Sequence, residues 1–180
     1  MKMSTKFSMF LATVVAMVAL TSSALADDWV TTGSGIRVKS IAFIDVNVYG
    51  ISHQMKGALP AKNKQAVINA DQDKRFVWQF KRDVSCEKIQ KAMRDGFALN
   101  GYTDSAKIGQ YAGACNKEEM KEKSTVIITY NATTKATSIQ MQGAGAATIQ
   151  GVDFMHAVWS LWFGKIDQPK LGDQLMANIP

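Results

Sequence analysis

The sequence predicts an α+β fold, an antiparallel sheet covered on one face by helices. Two observations carry this. Period-two apolar alternation dominates the first half of the chain, and the longest runs of three- and four-residue apolar spacing come after it. Strands in succession with helices grouped later suit an antiparallel sheet under a helical layer. No Pro- or Ser-rich linker and no repeat interrupts the chain, so one compact unit is expected.

Residues 1–26 have the order of an export signal. Lys2 and Lys6 give a positive start, and Phe7 to Leu20 is apolar apart from Ser8 and Thr13. Ala24-Leu25-Ala26 then matches the small-residue cleavage pattern. The apolar run is about 14 residues, short of the roughly 20 that span a bilayer. No Cys stands at the cut to carry a lipid. The expectation is a cleaved signal peptide followed by a working domain over residues 27–180. That domain would be periplasmic or secreted, without stable membrane insertion.

In Gly35-Ile36-Arg37-Val38, at the start of a strand, Ile36 and Val38 share one side and Arg37 takes the other. Residues Ile41 to Ile51 alternate, with Ile44, Val46 and Val48 opposed to Phe43, Asp45, Asn47 and Tyr49. Gly57, Pro60 and Asn63 mark Lys56 to Gln65 as a loop. A short strand is expected over Ala66 to Ala70. Arg75 to Arg82 alternates again, with Phe76, Trp78 and Phe80 on one side.

Ser85 can cap a helix over Cys86 to Leu99, and Asn100-Gly101 is a stop signal. Ile89, Ala92, Met93, Gly96 and Phe97 form its apolar stripe. Thr103 or Asp104 can start a second helix reaching about Ala114. Lys117 to Lys123 mixes both charge signs and reads as a solvated turn or helix end. Strands over Ser124 to Tyr130 and Ala136 to Gln142 form a hairpin across Asn131 to Lys135. After the Gly- and Ala-rich stretch Gly143 to Gly151 comes the most apolar helix, striped by Val152, Met155, Val158, Trp159 and Trp162. Phe154, Leu161 and Phe163 widen that stripe, as in a helix buried on most sides. A final helix covers Leu171 to Ala177.

Composition excludes several functions. Net charge is +6 over 180 residues, and the basic residues are scattered, so no nucleic-acid partner is expected. His53 and His156 lack Cys or carboxylate neighbours at ligand spacing, so no metal is expected. Gly33-Ser34-Gly35 and Gly143-Ala144-Gly145 both lack the third glycine of a dinucleotide fingerprint, and neither is followed by Gly-Lys-Ser/Thr. No cofactor is expected, and close packing or turns explain these glycines better. Asn131-Ala132-Thr133 fits a glycosylation sequon but falls in the hairpin turn. Cys86 and Cys115 can form a disulfide in an exported chain or remain two small buried apolar side chains. Their spacing leaves both open.

Gly33-Ser34-Gly35-Ile36-Arg37 followed by Phe43-Ile44-Asp45-Val46-Asn47-Val48-Tyr49 resembles the paired N-terminal strands of the chalcone isomerase family. Ser85-Cys86-Glu87-Lys88-Ile89 is similar to the opening of that family's first long helix, and Gly101-Tyr102-Thr103-Asp104 to the turn after it. Ala157-Val158-Trp159 through Trp162-Phe163-Gly164 resembles its late helix, in the form found in the exported bacterial branch. The resemblance implies an open-faced β-sandwich with a ligand cleft between a large antiparallel sheet and its helices. Plant members close a ring in chalcones, and other members bind fatty acids without catalysis. The enzymes' arginine falls on Arg37. Their polar threonine, tyrosine and asparagine fall on Ile44, Ser85 and Ala92, and a late threonine near Ala144. Losing one such donor commonly costs two to three powers of ten in rate, so the resemblance implies a non-catalytic member.

The reading is a protein that binds a small amphipathic, fatty-acid-like acid, with Arg37 as anchor. Phe43, Tyr49, Met93, Phe97 and Tyr102 are the candidate partners around it. A charge-assisted hydrogen bond contributes roughly 1.5–3 kcal/mol, while burying about ten CH₂ groups contributes around 8 kcal/mol. The tail would decide whether binding occurs, and Arg37 its direction. One alternative is an isomerase or intramolecular lyase, with Arg37 as electrophile and Tyr102 or Tyr49 as acid. Another is an envelope structural or interaction protein whose cleft is filled by Trp159 and Trp162.

Overall fold

Alternation along the strands decides which face of the sheet is covered. The computed structural model describes residues 28–180, so the expected signal peptide lies outside the described residues. β1 (Val30–Ile41) and β2 (Ile44–Met55) form a long hairpin, and α1 (Lys64–Asn69) leads to β3 (Lys74–Phe80). The two-residue β4 (Val84–Ser85) runs into α2 (Cys86–Leu99), then come α3 (Ser105–Ala112) and β5 (Glu119–Met120). β6 (Thr125–Asn131), β7 (Ala136–Met141) and β8 (Ala146–Gln150) form a meander, followed by α4 (Val152–Phe163) and α5 (Pro169–Leu175).

The main sheet has the order β1-β2-β3-β6-β7-β8, each neighbouring pair antiparallel. Ile51, His53 and Met55 of β2, Phe76, Trp78 and Phe80 of β3, and Val126, Ile128 and Tyr130 of β6 all point to one face and are buried. The helices lie on that face. α4 is the central one: Trp159 packs on Phe76, His53 and Tyr130, and Trp162 on Phe76 and Trp78. A mixed α+β fold with a large antiparallel sheet is what the sequence predicted.

Caps set the helix starts. Ser85 Oγ accepts from the Lys88 N–H, Asp104 from Lys107, and Asn63 from Ala66. The last of these makes residues 64–69 a helix where a short strand over Ala66 to Ala70 was expected. Val67 and Ile68 suggested a strand, but here they are the buried side of α1, packed toward α4. Gly33 and Gly35 serve close packing. A Cβ on Gly33 would stand 2.1 Å from the Gln174 carbonyl oxygen, so only glycine lets α5 lie against β1.

Three other elements differ from expectation. The strand expected from Ile41 is broken by a two-residue turn at Ala42-Phe43, where β1 returns as β2. Both turn residues have positive φ, 49° and 70°, a geometry that costs L-residues roughly 1–2 kcal/mol each. No Gly or Asn marks it. The Gly/Ala stretch before α4 holds β8, whose small residues carry little strand signal. Glu119–Met120, in the stretch read as a solvated turn, pairs with β4, and Met120 is fully buried. Beside it, Cys86 and Cys115 are joined in a disulfide, with Cα atoms 5.3 Å apart. It ties the start of α2 to the segment after α3.

The core contains polar groups. Thr32 Oγ1 donates to the Leu175 carbonyl at 2.8 Å and lies 2.6 Å from His53 Nδ1. Trp159 Nε1 donates to His53 Nε2 at 2.9 Å. An indole N–H only donates, so Nε2 is unprotonated and Nδ1–H points at Thr32. Burial, with the Lys74 charge second, pushes His53 well below the ordinary histidine range. Lys74 is buried too. Its Nζ donates to the Val67 and Ile68 carbonyls, both at 2.9 Å, and sits 4.7 Å from the Trp159 ring centroid. Burial pushes Lys74 down to about 7, against a smaller upward pull from Asp71.

Candidate functional site

A cleft of about 620 Å³ opens between the sheet and α2 and α4. That size lies within the range of small-molecule sites. The sheet contributes Val46, Val48, Tyr49, Trp78 and Phe80. α2 contributes Ile89, Ala92, Met93, Gly96 and Leu99, and α4 contributes Leu161 and Trp162. The floor is hydrocarbon and aromatic rings, and the charges stand around the opening.

Arg37 takes the same side of β1 as Gly33 and Gly35, which lie against α5, and a bulge in β2 shapes the strand beside it. Tyr49 pairs with Arg37 and Asn47 with Val38, so Val48 is an extra residue in β2. The bulge resets the faces: Val46, Val48 and Tyr49 all border the cleft, although strict alternation separates Tyr49 from the two valines. Cross-strand pairing sets Arg37 and Tyr49 side by side. Tyr49 stacks on Trp78 with ring centroids 4.6 Å apart, and its hydroxyl accepts from Trp162 Nε1 at 3.1 Å. Burial pushes the Tyr49 hydroxyl above its ordinary range, partly offset by Trp162 and the neighbouring Arg37 guanidinium. Tyr49 therefore stays protonated and keeps a hydrogen to donate.

The guanidinium is 11% exposed and fully engaged on one side. It donates to Asp167 Oδ1 at 2.5 Å, to Gln168 Oε1 at 3.1 Å, and to the Val38 carbonyl. Lys39 donates to the other Asp167 oxygen at 2.6 Å. Burial works to raise Asp167, but Lys39 and Arg37 outweigh it and hold the carboxyl below the usual range. Gln168 also takes the place of a β-strand beside β1, accepting from the Val38 N–H and donating to the Ile36 carbonyl. Two cations thus share one half-exposed carboxylate, which leaves the mouth positive. Trp78, on the cleft wall, has an indole N–H with no partner among the described residues.

The expected site residues divide. Arg37, Tyr49 and Met93 meet at the cleft. Phe43 does not line it: the turn holds Phe43 outward and fully exposed. Phe97 is fully buried behind the α2 wall, among Tyr102, Tyr111 and Phe154. Tyr102 is outside the cleft lining, with its hydroxyl donating to Asp153. Of the substituted positions, Ser85 and Ala92 line the cleft, whereas Ile44 stands beside the exposed turn and Ala144 lies in the turn before β8. The cleft is not filled from within, since Trp159 belongs to the core and Trp162 forms a wall. Asp167, Gln168 and Trp78 were not among the expected site residues. Asp167 and Gln168 had no motif, and Trp78 was legible only as an inward strand residue.

A large antiparallel sheet, its helices on one face and an apolar cleft between them define the open-faced architecture of the chalcone isomerase-like proteins. The chain belongs to that family: the chalcone isomerase-like family model matches residues 14–176. Among solved structures, a fatty-acid binding protein of Arabidopsis thaliana shares the fold, with a TM-score of 0.68 at 15% identity, over 86% of this chain and 89% of that one. No curated protein matches the chain.

Proposed function

We propose that the protein is a non-catalytic carrier of a small amphipathic acid, fatty-acid-like in form, acting in the periplasm or outside the cell. The observation that carries this is the placement of Arg37 opposite Tyr49 across the β1–β2 ladder, both in the lining of an apolar cleft of about 620 Å³. A carboxylate at that point would meet a fixed cation and a neutral hydroxyl donor, with Lys39 close by. It would share or take the position of Asp167, whose half-exposed carboxyl is the replaceable partner. The tail would lie along Trp78, Phe80, Met93 and Leu161. The fatty-acid binding protein of the same fold supports this ligand class. The hydrocarbon at Ala92 supports the absence of catalysis, since alanine has no side-chain donor to stabilise developing charge.

The test is native mass spectrometry of protein taken from its own host, followed by titration with palmitate and with hexadecanol. The expected result is a lipid adduct, and acid binding that falls about tenfold or more in Arg37→Ala while alcohol binding changes little. A bare wild-type spectrum together with no palmitate binding would overturn the reading. So would palmitate binding indifferent to Arg37. Turnover of a chalcone, followed by loss of its absorbance band, would replace the carrier reading with an isomerase.

A further inference from the structure

The β1–β2 hairpin outruns the rest of the sheet. β3 pairs with β2 only from Met55 to Tyr49, and the Lys81 N–H reaches Val48. Beyond that point Ile44 to Asn47 pair with β1 alone. At about 3.4 Å per residue this arm projects some 14 Å past the third strand. Its tip is the Ala42-Phe43 turn with both residues at positive φ. Phe43 is fully exposed, and Ile44 beside it is 68% exposed. Two unfavourable terms coincide there, a strained backbone and a large ring held in water. Strain that persists at an exposed apolar tip points to a partner that takes up the ring.

The surroundings say what kind of partner. Lys39 of the arm and Arg82, Lys88, Lys91 and Lys165 stand around the cleft opening, against Asp83, Asp95 and Asp167. Arg82, Lys88 and Lys165 form no ion pair among the described residues. The arm's own carboxylate, Asp45, accepts from Ser40. The cleft rim at the base of the arm therefore has a positive surplus. An apolar finger projecting beside a cationic rim suits a surface with an anionic outer layer and a hydrocarbon interior. The arm also forms part of the cleft wall, through Val46.

We propose that this arm docks the protein on an anionic lipid bilayer. Phe43 and Ile44 enter the interfacial region, and the rim cations face the headgroups. Docking is shallow and reversible, because two side chains and a few charges do not match a spanning helix. It brings the cleft mouth to the lipid surface, and it holds whether or not the cleft carries an acid.

The test is flotation of the host-purified protein with vesicles of phosphatidylcholine alone, or of equal parts phosphatidylcholine and phosphatidylglycerol. The protein should float with the anionic vesicles and not with the neutral ones. Phe43→Ser should weaken that binding by at least about tenfold, with an unchanged unfolding midpoint because the ring touches nothing in the fold. Lys88→Glu combined with Lys165→Glu should weaken it as well. In Phe43→Trp, a spin-labelled lipid should quench the added indole above the wild-type background. Three results would overturn the proposal: no flotation with anionic vesicles, flotation indifferent to Phe43→Ser, or an unquenched Trp at position 43. A dimer in sedimentation velocity that disappears in Phe43→Ser, without vesicle binding, would assign the tip to a second copy of the chain instead.

Discussion

At the centre of the core, His53, Thr32, Trp159 and Lys74 hold hydrogen bonds in a sealed space. At the cleft mouth, Arg37, Tyr49, Asp167 and Gln168 do the same beside an open one. Each ring nitrogen of His53 has a partner, and Lys74 has two carbonyls and a ring face, with no route to solvent. Arg37 is nearly as buried, but its main partner is a carboxylate about half exposed, on a loop rather than in the core. Burial of a polar group does not by itself mark a binding site. Only the second cluster has open volume beside it and a charged partner half exposed to solvent.

The largest expected effect breaks the sealed cluster. Trp159→Ala should lower unfolding free energy by about 3–5 kcal/mol, measured by urea denaturation, because it removes a core ring and leaves a His53 nitrogen and the Lys74 ammonium underserved. Arg37→Ala should change the same quantity by less than about 1 kcal/mol, since its ion pair is to a half-exposed carboxylate. Equal losses would erase the distinction between the clusters.

Next comes the disulfide, which belongs to neither cluster. Reducing Cys86–Cys115 should cost about 3 kcal/mol in the chain-entropy account, read as a lower midpoint in reductant, while the Arg37 site stays formed. Loss of palmitate binding on reduction would show that the α2 wall depends on this link.

The effects of pH share one sign, and they separate the clusters by the range in which each group titrates. His53 has a folded pKa well below its unfolded value of about 6.5, so the unfolded chain binds more protons below that pH and stability should fall as acid is added. Lys74, near 7 when folded and 10.5 when unfolded, adds a rise in stability between those values as pH increases. Lys74→Met should flatten that rise in urea midpoints taken from pH 7 to 9. Asp167 acts in the opposite region: its folded pKa is below the ordinary carboxylate value of 3.8, so its contribution is present above about 4 and is lost as pH falls through the folded value. Asp167→Asn should leave the neutral-pH slope unchanged and tighten palmitate binding by about tenfold or less, because the rival carboxylate for Arg37 is gone. Weaker binding would make Asp167 a support of the site instead of a competitor.

Read from sequence alone, the apolar face of β3, the β6–β7 hairpin and the full extent of α2 were accessible, because periodicity, turns and caps act over a few residues. So was Arg37, through the resemblance and its opposition to Ile36 and Val38. Local signals failed where small or unmarked residues do structural work. Ala42-Phe43 turns without Gly or Asn, β8 opens on two Ala and a Thr, and α1 hides behind two β-branched residues.

What the chain determined by itself was the class of fold, the export-like leader pattern and the cation available to a cleft. Only the tertiary structure decided the cleft's wall and its partners. The extra Val48 in β2 brings Tyr49 beside Arg37, and folding brings in Asp167 from 130 residues away. It also sends Phe43 outward and hides Phe97 behind α2. A bulge and a long-range ion pair depend on where distant elements come to pack, and no periodicity within a single segment encodes that.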